Sequence, residues 1–199
     1  YRAEGTLAND RFGYNQVATT IVKNDVGASS LFNYFGTGNL SRIQGRDSTI
    51  NNRIFGIRDS DFPSYGLTIT GTGKNAASDD SQNIDDENCV TDITQNWYSN
   101  TSSKTTLEPN KWTKVIGRAG LNKGSIFFSI YRPEDLACPR KGSGQVIKIS
   151  DGCGGVSQYN LGEGLITAPV VDKRGNIYVG VSNLPKGSKV GGEGTDNIT

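Results

Sequence analysis

The sequence predicts an all-β protein, and three observations lead to that prediction. Gly accounts for 26 of the 199 residues, about twice the usual share, which suits a chain with many tight turns. No stretch keeps the apolar period of an amphipathic helix. Instead, short apolar or alternating runs recur between turn-forming residues, which is the pattern of strands joined by turns.

About eight of these runs are predicted to form strands, at spacings of roughly 10 to 20 residues. Each run is rich in β-branched or aromatic residues, which favour a pleated and partly buried backbone. In chain order the predicted strands are residues 17–22, 30–36, 53–59, 112–118, 125–131, 145–149, 168–171 and 176–181.

Residues 71–110 are predicted to form a long loop or insertion between two of these strands. The first part of the stretch, residues 71–87, is polar and contains few apolar side chains, so it offers little surface to bury. The whole chain, residues 1–199, is interpreted as one segment of a single domain.

The sharpest local signal is a hairpin pattern at residues 168–180. Two apolar runs flank the turn sequence Asp172-Lys173-Arg174-Gly175, in which Gly175 is expected to supply the positive φ of the turn. A weaker copy of the pattern occurs at residues 121–128, about fifty residues earlier. Hairpins that repeat at this period are typical of β-propellers, in which each blade is a four-stranded sheet.

Composition excludes several classes of function. The formal net charge is +1 and the chain contains no His and no Met. Near-neutral charge argues against a nucleic acid held through its phosphates, and without His the chain cannot build a Ser-His-Asp triad or a His-ligated metal site. No run of 18 apolar residues predicts a membrane span. The lack of an initiator Met indicates that the chain is a mature or excised segment.

Four stretches, in order, resemble the C-terminal β-propeller of the PilY family, the large type IV pilus assembly and tip-adhesin proteins. They combine an aromatic Gly-Thr-Gly turn, a Phe-Gly-Ile-Arg-Asp strand, an aromatic strand that ends in Arg-Pro, and a Gly-Ser-Gly strand. Their sequences are Tyr34-Phe35-Gly36-Thr37-Gly38-Asn39-Leu40, Arg53-Ile54-Phe55-Gly56-Ile57-Arg58-Asp59, Gly124-Ser125-Ile126-Phe127-Phe128-Ser129-Ile130-Tyr131-Arg132-Pro133 and Gly142-Ser143-Gly144-Gln145-Val146-Ile147-Lys148-Ile149.

The resemblance implies a partial propeller of about three four-stranded blades with long loops. It implies a non-catalytic surface module of a type IV pilus-associated adhesin or assembly protein, secreted or exposed at the cell surface and associated with the pilus or outer membrane. The expected partners are pilins or minor pilins, the rest of the same polypeptide, and a host or abiotic surface ligand. No catalytic residue is expected.

Calcium is the one cofactor that the sequence suggests. The stretch from Asp79 to Asn88 alternates acidic, hydroxyl and amide side chains, and calcium takes six to eight oxygen ligands of these kinds. Alternation selects Asp79, Ser81, Asn83, Asp85 and Glu87 as the predicted ligands, and the resemblance supports a calcium loop. The alternative interpretation is a solvated acidic loop without a metal, since the Gly of an EF-type loop is missing.

The three cysteines are interpreted as those of an exported protein. Cys138 and Cys153 each border an apolar strand-like run, and a disulfide between them is predicted to stabilise the fold by about 3 kcal/mol. Cys89 is left to pair with a cysteine outside this segment. Three buried free thiols are the alternative.

Two other interpretations of the fold and function remain open. A propeller quinoprotein dehydrogenase has a similar blade pattern, but it needs a quinone-stacking Trp, a calcium beside the cofactor and an acidic base, which no spacing here marks. A stand-alone β-sandwich is the other. Trp97, Tyr98 and Trp112 flank a Ser/Thr-rich stretch and are expected either to contact a ligand or to cover a sheet face.

Overall fold

The computed structural model describes residues 13–23, 27–46, 52–59, 62, 81–83, 96–100, 112–134, 142–150 and 156–182. These residues form an all-β structure with several antiparallel sheets, as the sequence predicts. The strands are β1 Ala18–Lys23, β2 Ser29–Gly36, β3 Arg53–Asp59, β4 Ser81–Asn83, β5 Asn96–Asn100, β6 Lys114–Asn122, β7 Ser125–Pro133, β8 Gly142–Ser150, β9 Val156–Glu163, β10 Val170–Val171 and β11 Ile177–Tyr178, and a short 3-10 helix spans Leu40–Arg42.

The first sheet has the strand order β1-β2-β3-β5-β4. Its first four strands are antiparallel to their neighbours, whereas β4 runs parallel to β5. Both faces of β3 are buried, because Ile54 and Phe55, which point to opposite faces, are each 0% exposed. This central strand is therefore buried on both of its faces, whereas the edge strand β1 has exposed positions such as Ile21.

The second sheet is an antiparallel meander with the order β6-β7-β8-β9. Its second strand, β7, has six consecutive buried residues, Ile126 to Tyr131. Successive strand residues face opposite sides of a sheet, so this strand is also buried on both faces.

A hairpin, β10–β11, forms the third layer. Its turn has the predicted form: Gly175 has φ 90°, and the amide of Gly175 donates to the carbonyl oxygen of Asp172 at 3.0 Å. A further antiparallel bridge joins Ile166 to Val181, which extends the pairing beyond the two-residue strands.

Two apolar clusters hold the three layers together. The first lies between the two sheets and combines Phe32, Tyr34, Ile54 and Trp97 of the first sheet with Val115, Ile126, Phe128 and Ile130 of the second. The second lies on the opposite face of the second sheet and combines Phe127, Val146 and Leu161 with Ile166 and Ile177 of the hairpin region. The second sheet is thus the middle layer.

The structure contains three strands beyond the predicted set. β4 and β5 lie within residues 71–110, where a long loop is predicted, because Trp97 buries its side chain in the first cluster and is 2% exposed. β9 lies where no strand is predicted, and it pairs with β8 through Val156 to Glu163. Among the described residues no helix is long and apolar enough to cross a membrane.

Candidate functional site

The predicted calcium ligands fall mainly outside the described residues. Asp79, Asp85 and Glu87 lie outside them, whereas Ser81 and Asn83 occupy β4, the parallel edge strand of the first sheet. In the described part of the chain no group of three or more His, Cys, Asp or Glu residues could hold a metal ion.

The structure does not test the predicted disulfide. Cys89, Cys138 and Cys153 all lie outside the described residues, so the predicted disulfide stays a prediction.

Trp97 packs against Tyr34, with ring centroids 5.8 Å apart, and Tyr98 packs against Phe55 at 6.5 Å. These two residues therefore cover the two faces of the first sheet.

A buried polar junction connects the two sheets where β2 ends and β6 begins. The Thr37 hydroxyl lies 3.2 Å from Oδ1 of Asn52, and Nδ2 of Asn52 donates to the carbonyl oxygen of Thr113 at 2.6 Å. The amide of Val115 returns a hydrogen bond to the carbonyl oxygen of Thr37 at 3.1 Å. Because Thr37, Asn52 and Thr113 are all buried, this chain of hydrogen bonds satisfies groups that water does not reach.

Lys114 is the central charged residue of this junction. Its ammonium group donates to the carbonyl oxygen of Gly45 at 2.6 Å and to that of Trp112 at 3.1 Å. The residue is 3% exposed, and burial lowers its pKa from 10.5 to about 8, because desolvation disfavours the charged form. Gly38 fits beside it only because it lacks a side chain, since a Cβ there would lie 2.7 Å from Cβ of Lys114.

The segment that follows β2 closes over the same end of the second sheet. Nε2 of Gln44 donates to the hydroxyl of Tyr131 at 2.6 Å, and the guanidinium of Arg46 stacks 4.5 Å from the ring centroid of Trp112. Tyr131 and Lys114 are directly opposite each other on β7 and β6. The connection from β2 to β3, residues 37–52, is therefore fastened at several points to β6, to β7 and to the two residues that precede β6.

A lysine of lowered pKa is chemically suited to act as a nucleophile or a base, but Lys114 is only 3% exposed in the part of the chain that the structure describes. Two backbone carbonyls accept hydrogen bonds from two of the three N–H donors of its ammonium group. The geometry assigns it to fastening the sheets together. The sequence analysis missed this residue, and the only signal for it is a lysine that opens an otherwise apolar strand, Lys114-Val115-Ile116.

The edge of β6 that faces away from β7 carries a second organised feature. Ile116 pairs with Ser129 and Gly120 with Phe127, so the three residues between them bulge opposite Phe128 alone. The side-chain amide of Asn15 holds this bulge, because Nδ2 donates to the carbonyl oxygen of Val115 and Oδ1 accepts from the amide of Gly117, both at 3.0 Å.

The middle residue of the bulge is Arg118, which is exposed. Gly117 has φ 70°, and a Cβ at that position would overlap the side chain of Ala168. The bulge therefore requires Gly beside Arg118, and it lies between the segment that precedes β1 and the segment that precedes β10.

The turn after β10 is organised by the Asp172 carboxylate. One oxygen accepts from the amides of Arg174 and Asn176 at 2.7 and 2.9 Å, and the other accepts from Nδ2 of Asn176 and the hydroxyl of Tyr178 at 2.8 and 3.0 Å. The side chain of Asn176 is the main cause that lowers the pKa of Asp172 to about 2. All four contacts lie within the β10–β11 hairpin, which indicates a structural role.

In comparisons with known proteins, no family model, no curated protein and no solved structure matches the chain.

Proposed function

We propose that the chain is a non-catalytic binding module built from β-propeller blades, belonging to a type IV pilus-associated adhesin or assembly protein of the PilY kind. In this proposal the module is secreted and works at the cell surface. It presents rigid sheets whose connecting loops contact pilins, minor pilins or an external surface, and it packs against the rest of its own polypeptide.

The position of β6 carries the architectural part of the proposal. β6 opens the second sheet and lies against β1 and β2 on one side and β10 on the other. β1 and β10 are themselves the opening strands of their layers. In a propeller the first strands of successive blades surround one axis and so lie next to one another, which accounts for this set of contacts.

Burial of the middle layer supports the same proposal against a two-layer sandwich. In a sandwich each sheet has one core face and one solvated face, so buried and exposed residues alternate along its strands. In β7 the residues on both faces are buried: Phe128 packs against the first sheet and Phe127 against the hairpin region. Each blade of a propeller stands between two neighbouring blades and is therefore covered on both faces.

The resemblance supports the family part of the proposal. Its stretch 53–59 coincides with β3, and its stretches 124–133 and 142–149 coincide with β7 and β8. Its first stretch, residues 34–40, covers the end of β2 and the turn that leads to the Thr37 junction. The matching sequences are therefore those of the central strands and of the connection that joins the sheets.

Co-sedimentation with purified type IV pili tests the functional part. The full chain is expected to pellet with type IV pili and to stay in the supernatant with type 1 pili, which serve as the matched control. Equal pelleting with both filaments, or with neither, would contradict the proposal. A quinone absorption band together with quinone-dependent dye reduction would overturn it in favour of the dehydrogenase interpretation.

The disulfide between Cys138 and Cys153 remains part of the proposal. Peptide mapping under non-reducing conditions is expected to recover a cross-linked pair from protein exported to an oxidising compartment. Recovery of both thiols in free form from that material would exclude the pairing.

A further inference from the structure

We infer that the bulge of β6 is a binding position for the carboxylate of an acidic peptide, with the Arg118 guanidinium as the recognising group. The inference does not depend on the pilus assignment, because it uses only the geometry and charge of the opening strands. Its basis is the way in which the fold builds and supports this bulge.

The bulge is constructed by residues far apart in the sequence. Asn15, which lies 102 residues before Gly117, bonds to both backbone positions that flank its start. On the other side, the side chain of Ala168 occupies the space that a Cβ at position 117 would need, so Gly117 cannot be replaced without a shift. A bulge interrupts ladder hydrogen bonds and turns a side chain away from the sheet, so this support fixes the direction in which Arg118 leaves the strand.

Arg118 is available to a ligand. It is exposed, and among the residues that the structure describes it has no hydrogen-bond or ion-pair partner. Arg46 and Arg53, by contrast, lie over the rings of Trp112 and Tyr98, and what sets Arg118 apart from the exposed Arg42 and Arg174 is its place in a bulge that Asn15 holds. A planar guanidinium with five N–H donors matches the two oxygens of a carboxylate.

The charge of the surrounding strands selects a negative ligand. The opening strands β1, β6 and β10 carry the exposed cations Lys23 and Arg118 and the buried Lys114, and they contain no acidic residue. The acidic residues in the described part of the chain are Asp59, Glu134, Glu163 and Asp172, and the last of these is engaged by its own turn. A single exposed guanidinium suits a carboxylate on a peptide better than a long polyphosphate, which requires many cations.

The test is an NMR titration of the full chain with acetylated tetraglutamate amide, against tetraglutamine at the same ionic strength. Tetraglutamate is expected to shift the amide signals of Gly117 and Ala119 and the Nε–H signal of Arg118, whereas tetraglutamine leaves them unchanged. The same shifts with both peptides, or none with either, would overturn the inference.

Variants separate recognition from general charge. Arg118→Gln is expected to weaken tetraglutamate binding by about tenfold, the loss of one charge-assisted bidentate contact, and Arg118→Lys is expected to restore part of it. Arg174→Gln, which removes another exposed arginine, serves as the matched control and should leave the affinity unchanged. Equal weakening by both variants would show nonspecific charge attraction and contradict the inference.

Two further experiments test whether the ligand is a peptide carboxylate or phosphate, and whether the bulge positions Arg118. Inorganic phosphate that displaces the peptide at equal or lower concentration would overturn the assignment to a peptide carboxylate. Asn15→Ala keeps the charge of Arg118 but removes the support of the bulge, so it is expected to weaken binding with an unchanged overall spectrum elsewhere. Unaltered affinity in Asn15→Ala would contradict the positioning argument.

Discussion

The ammonium group of Lys114 and the carbonyl oxygen of Gly45 are 2.6 Å apart, although the two residues are separated by 69 positions in the sequence. Through this contact the opening residue of the second sheet holds the connection between the second and third strands of the first sheet. Neither sheet can shift along the other without breaking it.

Replacing Lys114 with Met keeps the volume of the apolar stem but removes the donor. The carbonyl oxygens of Gly45 and Trp112 then lose a charged partner, so the free energy of unfolding is expected to fall by about 2 kcal/mol. Urea unfolding measures it. Lys23→Met, at an exposed position of β1, is the matched control, and an equal loss in the two variants would contradict the role of Lys114.

The lowered pKa of Lys114 predicts a pH dependence of stability. The group titrates at about 8 in the folded chain and at 10.5 without burial. Between these values the unfolded chain binds more protons than the folded chain, so stability rises with pH across this window. Below pH 8 both states hold the proton and the cost of burying the charge is fully present.

Comparison of the natural chain with Lys114→Met isolates this effect from the other titrating groups. The stability of the natural chain relative to the variant is expected to increase as the pH is raised from 8 to 10. A constant difference over that range would show that the pKa of Lys114 is not lowered.

Asp172 predicts a second pH dependence of the same sign, in the acidic range. Its pKa is lowered from 3.8 to about 2 by hydrogen bonds to the charged form, so its contribution to stability is complete above pH 3.8 and is lost as the pH falls through 2. Titration of the side-chain carboxyl by carbon NMR is expected to give a midpoint near 2.

A variant tests whether the turn depends on this carboxylate. Asp172→Ala is expected to broaden or shift the amide signals of Arg174 and Asn176, which lose their acceptor. Lys173→Ala, at the exposed neighbouring position, is expected to leave them in place. A normal midpoint for Asp172, or the same spectral change in both variants, would contradict the prediction.

A side chain at position 56 is expected to clash with its neighbours in the first sheet. Gly56 is paired with Trp97 across β3 and β5, and a Cβ at this position would overlap the indole ring. Because Trp97 is fully packed, Gly56→Ala is expected to lower the free energy of unfolding by about 1–3 kcal/mol. Gly13→Ala is the control, since a Cβ there meets nothing within 4 Å, and a loss no larger than in this control would contradict the packing.

Calcium binding by the acidic stretch remains a prediction that melting experiments can decide. If Asp79, Ser81, Asn83, Asp85 and Glu87 bind calcium, excess calcium should raise the melting temperature relative to chelator, because a ligand of the native state stabilises it. Asp85→Asn should reduce this increase and Asp59→Asn should not. Identical melting temperatures with calcium and with chelator would exclude the site.

Local sequence signals predicted the strands and turns that depend on local chemistry. Residues 53–59 form β3 as predicted, because an apolar, β-branched run carries its own strand signal. The turn at Gly175 is also as predicted, since it needs a positive φ and four consecutive residues. Both features are set by neighbours in the sequence.

Features that depend on distant partners could not be predicted in this way. β9 contains Val156-Ser157-Gln158-Tyr159-Asn160, a polar edge strand whose pairing is provided by β8. The contact of Lys114 with Gly45 joins residues 69 positions apart and that of Asn15 with Val115 joins residues 100 positions apart, and only the packing of the sheets brings these groups together.

The burial of β7 on both faces also has a consequence for how the molecule comes apart. Its amide protons are shielded by a layer on each side and by strands on each edge, so they should be among the last to exchange with deuterium. The mid-layer strand is therefore expected to be among the last parts of the described chain to open.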